Sequence, residues 1–392
     1  MAAPTALPSL AEIAGRAGLE RIHILAWRDL QDAEAGGSEV HASMVAAAWA
    51  AAGLDVTVRA SRAEGHPAYS WRDGYRVIRK AGRYAVFPRA ALSGLVGRTG
   101  PRDGLVEVWN GMPFFSPLWA RCPRVVFLHH VHAEMWRMVI KPAALARAGE
   151  LIEFRLAPAV YRRSQIVTLS SSSRDDIVSM LGIPASHVRV VPPGVLPRFT
   201  PGGQRSAQPL VISVGRLVPV KRFDRLIDSL VRVRRHHPQL EAVIVGEGYE
   251  RPALEARIRG AGAGGWLHLP GRLDDDDLLD LYRRAWVLSS ASAREGWGMT
   301  ITEAGACGTP AVVADIAGHR DAVDAGVSGL LSGDARELAS DLDRVLGDHA
   351  LRAALGAGAL RRAQRLTWEA TARSSLEALA SEASRRRSRL GW

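Results

Sequence analysis

Short apolar runs alternate with longer stretches of helical periodicity through the first half of the chain. The apolar runs predict strands at residues 22–26, 56–58, 106–109, 125–128, 166–169 and 188–191, with a weaker one at 76–78. A helix is predicted at 38–52, after a loop at 27–37. Strands that alternate with helices are typical of an α/β protein with a parallel, doubly wound sheet.

A segment rich in proline and glycine, residues 192–204, interrupts this alternation. The pattern then restarts, with predicted strands at 210–214, 242–245, 286–290 and 311–314. Helices are predicted at 222–236, from residues 249, 275, 300 and 335, and at 368–387. We therefore predict two Rossmann-like domains, 1–195 and 209–367, that face each other across a cleft and are joined near 196–208. The C-terminal segment 368–392 is expected to pack back on the first domain.

The composition fits a globular protein of two domains. The 392 residues are 47% hydrophobic and 23% charged, without an uninterrupted run of the ~18 apolar residues that a membrane span needs. The first residues lack the basic start and apolar core of a secretion signal. Cys122 and Cys307 are the only cysteines, so we expect no disulfide framework and a cytoplasmic location.

A net charge of +11, carried mostly by arginine, leaves several partners open. A basic field attracts nucleic acid, anionic lipid or polyanionic substrates, but a drift toward arginine in a GC-rich genome gives the same balance. No zinc-knuckle, ribonucleoprotein or helix-turn-helix signature is present, so nucleic acid is not an expected partner. The segment 141–163 mixes leucines with Arg147 and Arg155. It predicts either an amphipathic helix on an anionic membrane or an ordinary solvated helix.

The segment from Glu295 to Glu303 carries the most specific chemistry. A predicted strand is followed by a glycine-bearing turn and then by a helix that carries the second glutamate. The start of a helix presents backbone N–H groups to phosphate, and flanking carboxylates accept hydrogen bonds from sugar hydroxyls. This combination points to a sugar nucleotide. Between the glutamates, the expected substrate-binding residues are Gly296, Trp297, Gly298, Met299 and Thr300.

A second group of candidates follows the predicted strand 210–214. Gly215 permits close approach of a phosphate to the backbone, while Arg216 and Lys221 can reach its oxygens. Two fixed cations would stabilise a departing diphosphate without a metal, and removing one such group typically costs ~10²–10³ in rate. The alternative is that both side chains merely cap the helix that begins near Arg222.

Two further loops are weaker candidates for the nucleotide site. Gly246 and Glu247 follow the strand 242–245, but Arg251 stands where a dinucleotide fingerprint would have its third glycine. Arg272 and Leu273 follow another short strand and are candidates to hold a nucleobase. Ordinary strand-to-helix loops are the alternative for both.

In the first half, Gly36 and Gly37 form a turn before a helix, where the backbone can closely approach a donor or acceptor; a simple loop with Ser38 as N-cap is the alternative. His129, His130 and His132 follow a strand. Ligands bind beyond the carboxyl ends of parallel strands, and alternation places His130 and His132 on one side and His129 on the other. Histidines that simply pack within the fold are the alternative. No metal is expected, because no ligand cluster lies near the histidines. We interpret the acidic run 274–277 as the start of a helix.

With these motifs the sequence resembles the retaining glycosyltransferases of family 4, which have the GT-B fold. The resemblance spans nearly the whole chain, from Gly36 to Glu369, and its most specific element is the pair Glu295 and Glu303. It implies that Arg216 and Lys221 bind the donor diphosphate, that Glu303 holds the ribose hydroxyls, and that Glu295 lies near the donor sugar.

The resemblance also implies that His129 lies beside the reacting sugar carbon. The family often has aspartate at the next position, where this chain has His130, so either histidine is a candidate. The linker also departs from the family's Asn-Gly-Val, because this chain has Pro193-Gly194-Val195.

The implied activity is a hexosyltransferase that uses no cofactor. It moves a sugar from a nucleoside diphosphate to a hydroxyl of a glycan, lipid or small-molecule glycoside, with retained configuration and front-face attack. Mannose and glucose-type sugars are the leading candidates. Alternatives on the same fold are a sugar-nucleotide epimerase or a phosphorylase. A lipid-linked acceptor would place the protein on the inner face of the membrane.

Overall fold

Buried runs of valine, isoleucine and leucine organise the chain into two parallel sheets, each in its own compact unit. The computed structural model describes residues 7–139 and 142–390. The first unit comprises residues 1–192 and 368–392, and the second comprises residues 193–367. The division therefore lies within the proline-rich segment, a few residues before the predicted end of the first domain.

The first unit contains eight described strands in the order β3-β4-β2-β1-β5-β6-β7-β8. The strands are β1 (Arg21–Leu25), β2 (Asp55–Ala60), β3 (Tyr69–Arg72), β4 (Tyr75–Arg79), β5 (Gly104–Val108), β6 (Arg124–Phe127), β7 (Gln165–Thr168) and β8 (Val188–Val190). All neighbouring pairs are parallel except β3 and β4, which form an antiparallel hairpin at the edge. The sequence pattern missed β3, because its residues alternate between exposed and half-buried and form no apolar run.

Helices cover both faces of this sheet. They are α1 (Leu10–Ala17), α2 (Gly37–Ala51), α3 (Val86–Leu95), α4 (Ser116–Trp119), α5 (Met135–Val139), α6 (Ala143–Leu151), α7 (Ala157–Tyr161) and α8 (Ser171–Leu181). A π-helix (Ile152–Leu156) joins α6 to α7, and a 3₁₀ turn (Ala185–His187) precedes β8. The helix predicted at 38–52 thus begins one residue earlier, at Gly37, with Gly36 as its N-cap.

The last helix of the chain (Trp368–Leu390) belongs to the first unit, where it packs against α1 and α2. Leu376 and Leu379 are fully buried in the same hydrophobic cluster as β1 and β2. The Trp49 indole of α2 donates a hydrogen bond to the Ala372 carbonyl (3.0 Å). This segment closes one face of the first sheet. Residues 391–392 of the predicted segment lie outside the described residues.

The second unit contains six described strands in the order β11-β10-β9-β12-β13-β14, all parallel. The strands are β9 (Leu210–Val214), β10 (Glu241–Val245), β11 (Leu267–Gly271), β12 (Val287–Ser290), β13 (Ala311–Ala314) and β14 (Gly329–Ser332). The helices are α9 (Phe223–Arg234), α10 (Arg251–Gly260), α11 (Asp275–Arg284), α12 (Met299–Ala306), α13 (His319–Ala322), α14 (Ala335–Gly347) and α15 (His349–Ala363). A 3₁₀ turn (Pro219–Lys221) lies before α9.

The segment predicted as a linker, 196–208, packs within the second unit. Phe199 contacts the ring of Tyr282 at a centroid distance of 5.6 Å. The Arg205 guanidinium donates to the carbonyls of Ala285 and Gly308. These contacts order the segment, although its proline and glycine content gave the appearance of a free connection.

The segment 141–163 forms α6, the π-helix and α7 instead of one continuous helix. Lys141, the first residue of the predicted amphipathic stretch, lies outside the described residues. Leu145, Leu151 and Leu156 are more than half exposed. Throughout residues 7–139 and 142–390, no helix has both the length and the apolar character needed to cross a bilayer.

Candidate functional site

Three loops at the carboxyl edge of the second sheet are bonded to one another. The Gly215 N–H donates to the Val245 carbonyl (3.0 Å), the Leu217 N–H to the Glu247 carbonyl (2.8 Å), and the Gly246 N–H to the Gly271 carbonyl (2.8 Å). The edge that follows β9, β10 and β11 is therefore a single hydrogen-bonded surface.

The glycine at 246 is explained by this packing. Its φ is +142°, and a Cβ atom there would lie 1.9 Å from the Gly215 carbonyl oxygen. A side chain would both strain the backbone and force the two loops apart. Gly215, predicted to admit a phosphate, and Gly246, predicted as part of the nucleotide site, thus have a structural role in holding the loop edge together.

Lys221 and Glu295 form an ion pair at this edge. The Lys221 Nζ lies 2.5 Å from the Glu295 Oε1, and the Ser292 hydroxyl donates to the same oxygen (2.9 Å). The Ala293 N–H also donates to the Val220 carbonyl (2.8 Å), which ties the loop after β12 to the 3₁₀ turn. Both hydrogen bonds to Glu295 end at Oε1, and none of the described residues donates to Oε2.

The surroundings of Glu295 hold it in the ionised form. Burial alone raises the pKa of this carboxyl, but the Lys221 ammonium, His319 and the two hydrogen bonds outweigh it and lower the pKa to about 2. His319 is 1% exposed, and burial lowers its pKa. Its Nδ1–H donates to the Ala314 carbonyl (2.8 Å). The site therefore presents a fixed cation beside a fixed carboxylate.

The turn between the glutamates presents the start of α12. Gly298 is the N-cap, with φ +101°, and a Cβ atom there would lie 2.8 Å from the Ile301 Cδ1. First-turn N–H groups of a helix have no partner within the helix, so those of Met299 and Thr300 are available to an anion. Trp297 is 4% exposed. Its side chain packs in the interior, so at this position a ligand would meet the backbone.

Glu303 lies on α12, close to a tyrosine from α11. The Tyr282 hydroxyl donates to the Glu303 Oε2 (2.9 Å). Burial raises the pKa of Glu303, while the Tyr282 hydrogen bond and the charge of Arg198 counteract it. Each signature glutamate thus has one carboxylate oxygen held by a neighbouring side chain of the same unit.

The remaining second-unit candidates lie at the rim of this edge. The Glu247 carboxylate forms a two-point ion pair with Arg251 (2.8 and 3.0 Å), one turn along the chain. This pair is solvent-exposed and gives Glu247 an ordinary structural partner. Arg272 and Leu273 follow β11 directly, the first exposed and the second half-buried. Arg216 lies between Gly215 and Leu217 in the first of the bonded loops.

In the first unit, the two-glycine loop is fixed by a buried carboxylate. The Glu39 Oε2 accepts hydrogen bonds from the Gly36 N–H (2.8 Å) and the Ser38 hydroxyl (2.9 Å). The Arg28 Nε lies 3.3 Å from the other oxygen of Glu39, and both side chains are almost fully buried. Gly36 and Gly37 therefore begin α2 in a rigid setting, with Gly36, not Ser38, as the cap.

His129 is buried against a histidine that the sequence did not single out. The His129 Nε2 and the His41 Nδ1, which is on α2, are 3.2 Å apart. The rings meet edge to face, and His41 also contacts Phe127 and Trp368. Burial, together with His130, lowers the pKa of His129 to about 3, and burial lowers that of His41 strongly. This pair is neutral at physiological pH.

The next two histidines, His130 and His132, lie together. The His130 and His132 rings stack at 4.9 Å, and both residues are half-buried. Glu153, in the π-helix, fixes this loop by accepting hydrogen bonds from the His132 N–H (2.8 Å) and the Trp136 indole (2.8 Å). A π-turn inside helical structure frequently marks a functional site.

Within the described part of the chain, no three histidine, cysteine, aspartate or glutamate side chains converge as metal ligands. The acidic run begins a helix. The Asp274 side chain caps α11 by accepting hydrogen bonds from the Asp276 and Asp277 N–H groups, and Asp275 pairs with Arg198. Capping agrees with the helix-start interpretation.

The sequence pattern missed four polar residues of these two edges: His41, which contacts His129; Glu153, which contacts the 132–136 loop; Tyr282, which contacts Glu303; and His319, which lies beside Glu295. All four lie on helices, and each is at least 17 residues along the chain from its partners, so no local motif indicated them. For His41 one signal was present: a histidine on an otherwise apolar helix, five positions after Gly36.

Two family profiles match consecutive parts of the chain. Residues 35–198 match the family described as Glycosyltransferase Family 4, and residues 199–362 match the family described as Glycosyl transferases group 1. The two profiles together account for most of the sequence.

Curated relatives carry one recurring name. The D-inositol 3-phosphate glycosyltransferase of Kineococcus radiotolerans is 32% identical over 284 residues, covering 63% of this chain and 65% of the relative. The protein of that name from Stackebrandtia nassauensis is 34% identical over 250 residues, covering 56% of this chain and 55% of the relative. This chain matches between about half and two thirds of the length of these relatives.

Solved structures share the fold over nearly the whole chain. Sucrose-phosphate synthase from Thermosynechococcus elongatus superposes with a TM-score of 0.79 at 20% identity, covering 91% of this chain and 97% of that one. Anabaena HepE, in complex with UDP and glucose, gives 0.72 at 20% identity, with coverages of 92% and 100%. At these identities the similarity establishes the fold alone, the GT-B fold of two Rossmann-like units.

Proposed function

Because this chain belongs to the family 4, group 1 glycosyltransferases, we propose that it is a hexosyltransferase that moves a sugar from a nucleoside diphosphate to an acceptor hydroxyl. The observation that carries the proposal is the arrangement of the two glutamates around the start of α12. Glu295 and Glu303 each have one oxygen held by a neighbour, and none of the described residues donates to the other. The two remaining oxygens are available to sugar and ribose hydroxyls.

The proposed donor site uses charge that is already in place. Lys221 is held by Glu295, and the N–H groups of Met299 and Thr300 lie at the N-terminus of a helix, where negative charge is favoured. Arg216 belongs to the adjoining loop and adds a second cation. These groups favour the diphosphate more strongly as it departs, which is where stabilisation accelerates the reaction.

We propose that the reaction retains the anomeric configuration. The bond between the anomeric carbon and the diphosphate oxygen breaks, and the electron pair leaves with the diphosphate. The acceptor oxygen bonds to the same face of that carbon and passes its proton to the departing diphosphate. Glu295, ion-paired and with its pKa at about 2, is suited to hold a sugar hydroxyl and is a poor covalent nucleophile. His129 as the catalytic residue of the first unit stays a prediction.

The names and titles of similar proteins indicate which donors and acceptors to test first. UDP-linked glucose-type sugars and GDP-mannose are the donors to test first, since structures related in fold contain UDP and glucose. The name of the curated relatives makes an inositol phosphate the first acceptor to test, ahead of glycan and lipid acceptors. Catalysis without a metal is part of the proposal, so chelation with EDTA should change turnover by less than about twofold, whereas a metal-assisted transferase would lose most of its rate.

Peripheral membrane contact from the cytoplasmic side is a further part of the proposal, for a lipid-linked acceptor. Leu145, Leu151 and Leu156 are exposed on the α6–α7 segment, among Arg147 and Arg155. Apolar side chains interspersed with arginine favour the interface of an anionic bilayer. Flotation with vesicles should increase with anionic lipid content, and Leu151→Gln/Leu156→Gln should reduce it. If flotation depended neither on anionic lipid content nor on the two leucines, the membrane contact would be ruled out.

One assay separates transfer from its main alternative, an epimerase. The protein is incubated with each of the UDP-, GDP- and ADP-sugars, with and without acceptor, and products are followed by mass spectrometry and NMR. We expect a glycosylated acceptor and free nucleoside diphosphate only when acceptor is present. Conversion of the donor to an isomeric sugar nucleotide without acceptor would favour the epimerase and overturn the proposal.

A further inference from the structure

Tyr282 is the one tyrosine whose hydroxyl contacts a signature glutamate among the described residues. It lies near the end of α11, fully buried, with its ring edge to face on Phe199 at 5.6 Å. Its backbone carbonyl accepts the Thr309 hydroxyl (2.6 Å). Both the ring and the main chain of Tyr282 are therefore fixed independently of its hydroxyl.

The hydroxyl has one described partner, the Glu303 Oε2 at 2.9 Å. Glu303 has three side-chain torsions before its carboxylate, and an unrestrained glutamate samples several of their combinations. A hydrogen bond from a side chain as rigid as Tyr282 selects one of them. In that orientation Oε2 is occupied and Oε1 accepts no hydrogen bond from any described residue.

We propose that Tyr282 is a positioning residue for nucleotide recognition: it orients Glu303 so that the carboxylate accepts hydrogen bonds from the ribose hydroxyls of the donor. This inference rests on the proposed function, which assigns Glu303 to the ribose. Tyr282 itself acts through Glu303 and is not assigned a contact with the nucleotide.

The electrostatics of the pair are consistent with this role. Half-burial of Glu303 disfavours its ionised form, and so does Asp275, whereas Tyr282 and Arg198 favour it. A carboxylate kept ionised is a stronger acceptor for hydroxyl groups than a neutral acid. Removing the Tyr282 hydroxyl should therefore weaken ribose binding in two ways. The Glu303 carboxylate would no longer be held in one orientation, and its protonated form would be favoured.

The test combines Tyr282→Phe with removal of a ribose hydroxyl from the ligand. Isothermal titration measures the affinity of wild type and variant for the nucleoside diphosphate that the wild type binds, and for its 2′-deoxy and 3′-deoxy forms. Hydrogen bonds to charged groups contribute enough that we expect Tyr282→Phe to weaken ribonucleotide binding about 10-fold. Affinity for at least one deoxy form should change by less than about twofold.

The matched control is Tyr75→Phe in the first unit. Tyr75 is also a buried tyrosine, whose hydroxyl makes a hydrogen bond to Ser43 (2.6 Å). The control should affect stability without altering ribose discrimination. In a Glu303→Gln background, Tyr282→Phe should produce little further loss, because the group through which it acts has been changed.

The outcomes separate this inference from the function on which it rests. Equal losses for the ribonucleotide and both deoxy forms would show a general structural effect and overturn the positioning role. Unchanged binding of all three would overturn it as well. If the wild type bound no nucleoside diphosphate, the proposed function itself would fail, and this inference with it.

Discussion

Two polar pairs, one in each unit, are built in opposite ways. At the edge of the second sheet, Lys221 and Glu295 are both charged and lie 2.5 Å apart, with the charge of each balanced by the other. At the corresponding edge of the first sheet, His41 and His129 are buried as a neutral pair, 3.2 Å apart. The Lys221–Glu295 pair is built from compensated charge and the His41–His129 pair from neutral groups, although the first unit also buries the Arg28–Glu39 ion pair.

The difference indicates that the two pairs have different roles. A lysine ammonium held in place by a carboxylate is suited to bind a charged donor, because its electrostatic field is already oriented before the ligand binds. The neutral histidine pair packs in the interior just after β6, where burying a charge would cost free energy. We therefore expect substitution of Lys221 to act on chemistry and substitution of His41 to act on stability and its dependence on pH.

The largest expected effect comes from removing the cation of the second edge. Lys221→Ala should lower kcat for the true donor by about 10²–10³, because the departing diphosphate loses a fixed positive group. Turnover is measured at saturating donor, with unfolding followed in parallel.

The control is Arg257→Gln, which also removes a cation from an ion pair, here an exposed one with Asp228. Exposed pairs contribute about 0–1 kcal/mol, so activity and stability should stay near wild type. Equal turnover of Lys221→Ala and Arg257→Gln would show that the Lys221 cation does not stabilise the departing diphosphate.

A second prediction concerns the loops that support the cation. Gly246→Ala should destabilise the second unit by about 2–3 kcal/mol, because of the positive φ and the contact with the Gly215 carbonyl. Urea unfolding measures the loss. Gly264→Ala is the control, since a Cβ atom there meets no atom within 4 Å. If the two variants had the same stability, the loop packing would not be the reason for the glycine.

The residues at these edges also show what the sequence can and cannot predict. Strands β9 and β13 were predicted to the residue, because each is an unbroken apolar run next to a clear break. The helix expected from Arg222 begins at Phe223, since Arg222 adopts φ +50°. A left-handed residue before a helix leaves no compositional mark when it is not glycine, so the pattern could not place that boundary.

The residues of the candidate site also fall into those that the sequence could predict and those that it could not. Glu295 and Glu303 could be found from spacing, since a glycine turn and a helix connect them. Their partners could not be found from it. Tyr282 lies 21 residues before Glu303, and His41 lies 88 residues before His129. Only the sheet order brings such pairs together, and a long-range contact of this kind has no local signature in one sequence.

A third prediction is a difference in acid sensitivity between the two units. His23, His41 and His129 of the first unit have pKa values lowered by burial from the ordinary value of 6.5, to about 4 for His23 and about 3 for His129. A base with a depressed pKa contributes stability that is complete above pH 6.5 and is lost as the pH falls below it, because only the unfolded chain takes up the proton. The contribution of ionised Glu295 to stability is lost only as the pH falls from 4.5 to about 2.

Between pH 6.5 and 4.5 the free energy of unfolding should therefore fall more for the first unit than for the second, because burial lowers the pKa of three histidines in the first unit and, among the described residues of the second, of His319. Each neutral histidine contributes a slope of about 1.4 kcal/mol per pH unit. Urea unfolding followed by pulse-labelling hydrogen exchange, at one labelling pH, reports each unit separately. His41→Phe should flatten the slope of the first unit alone. Equal slopes in both units, or no change in His41→Phe, would contradict the contrast.

A crystal structure of the protein with its nucleoside diphosphate tests the central claim most directly. We expect the terminal phosphate within hydrogen-bonding distance of the Lys221 Nζ and the Met299 and Thr300 N–H groups, with a ribose hydroxyl on Glu303. A nucleotide bound elsewhere, with these groups still facing solvent or each other, would contradict the account.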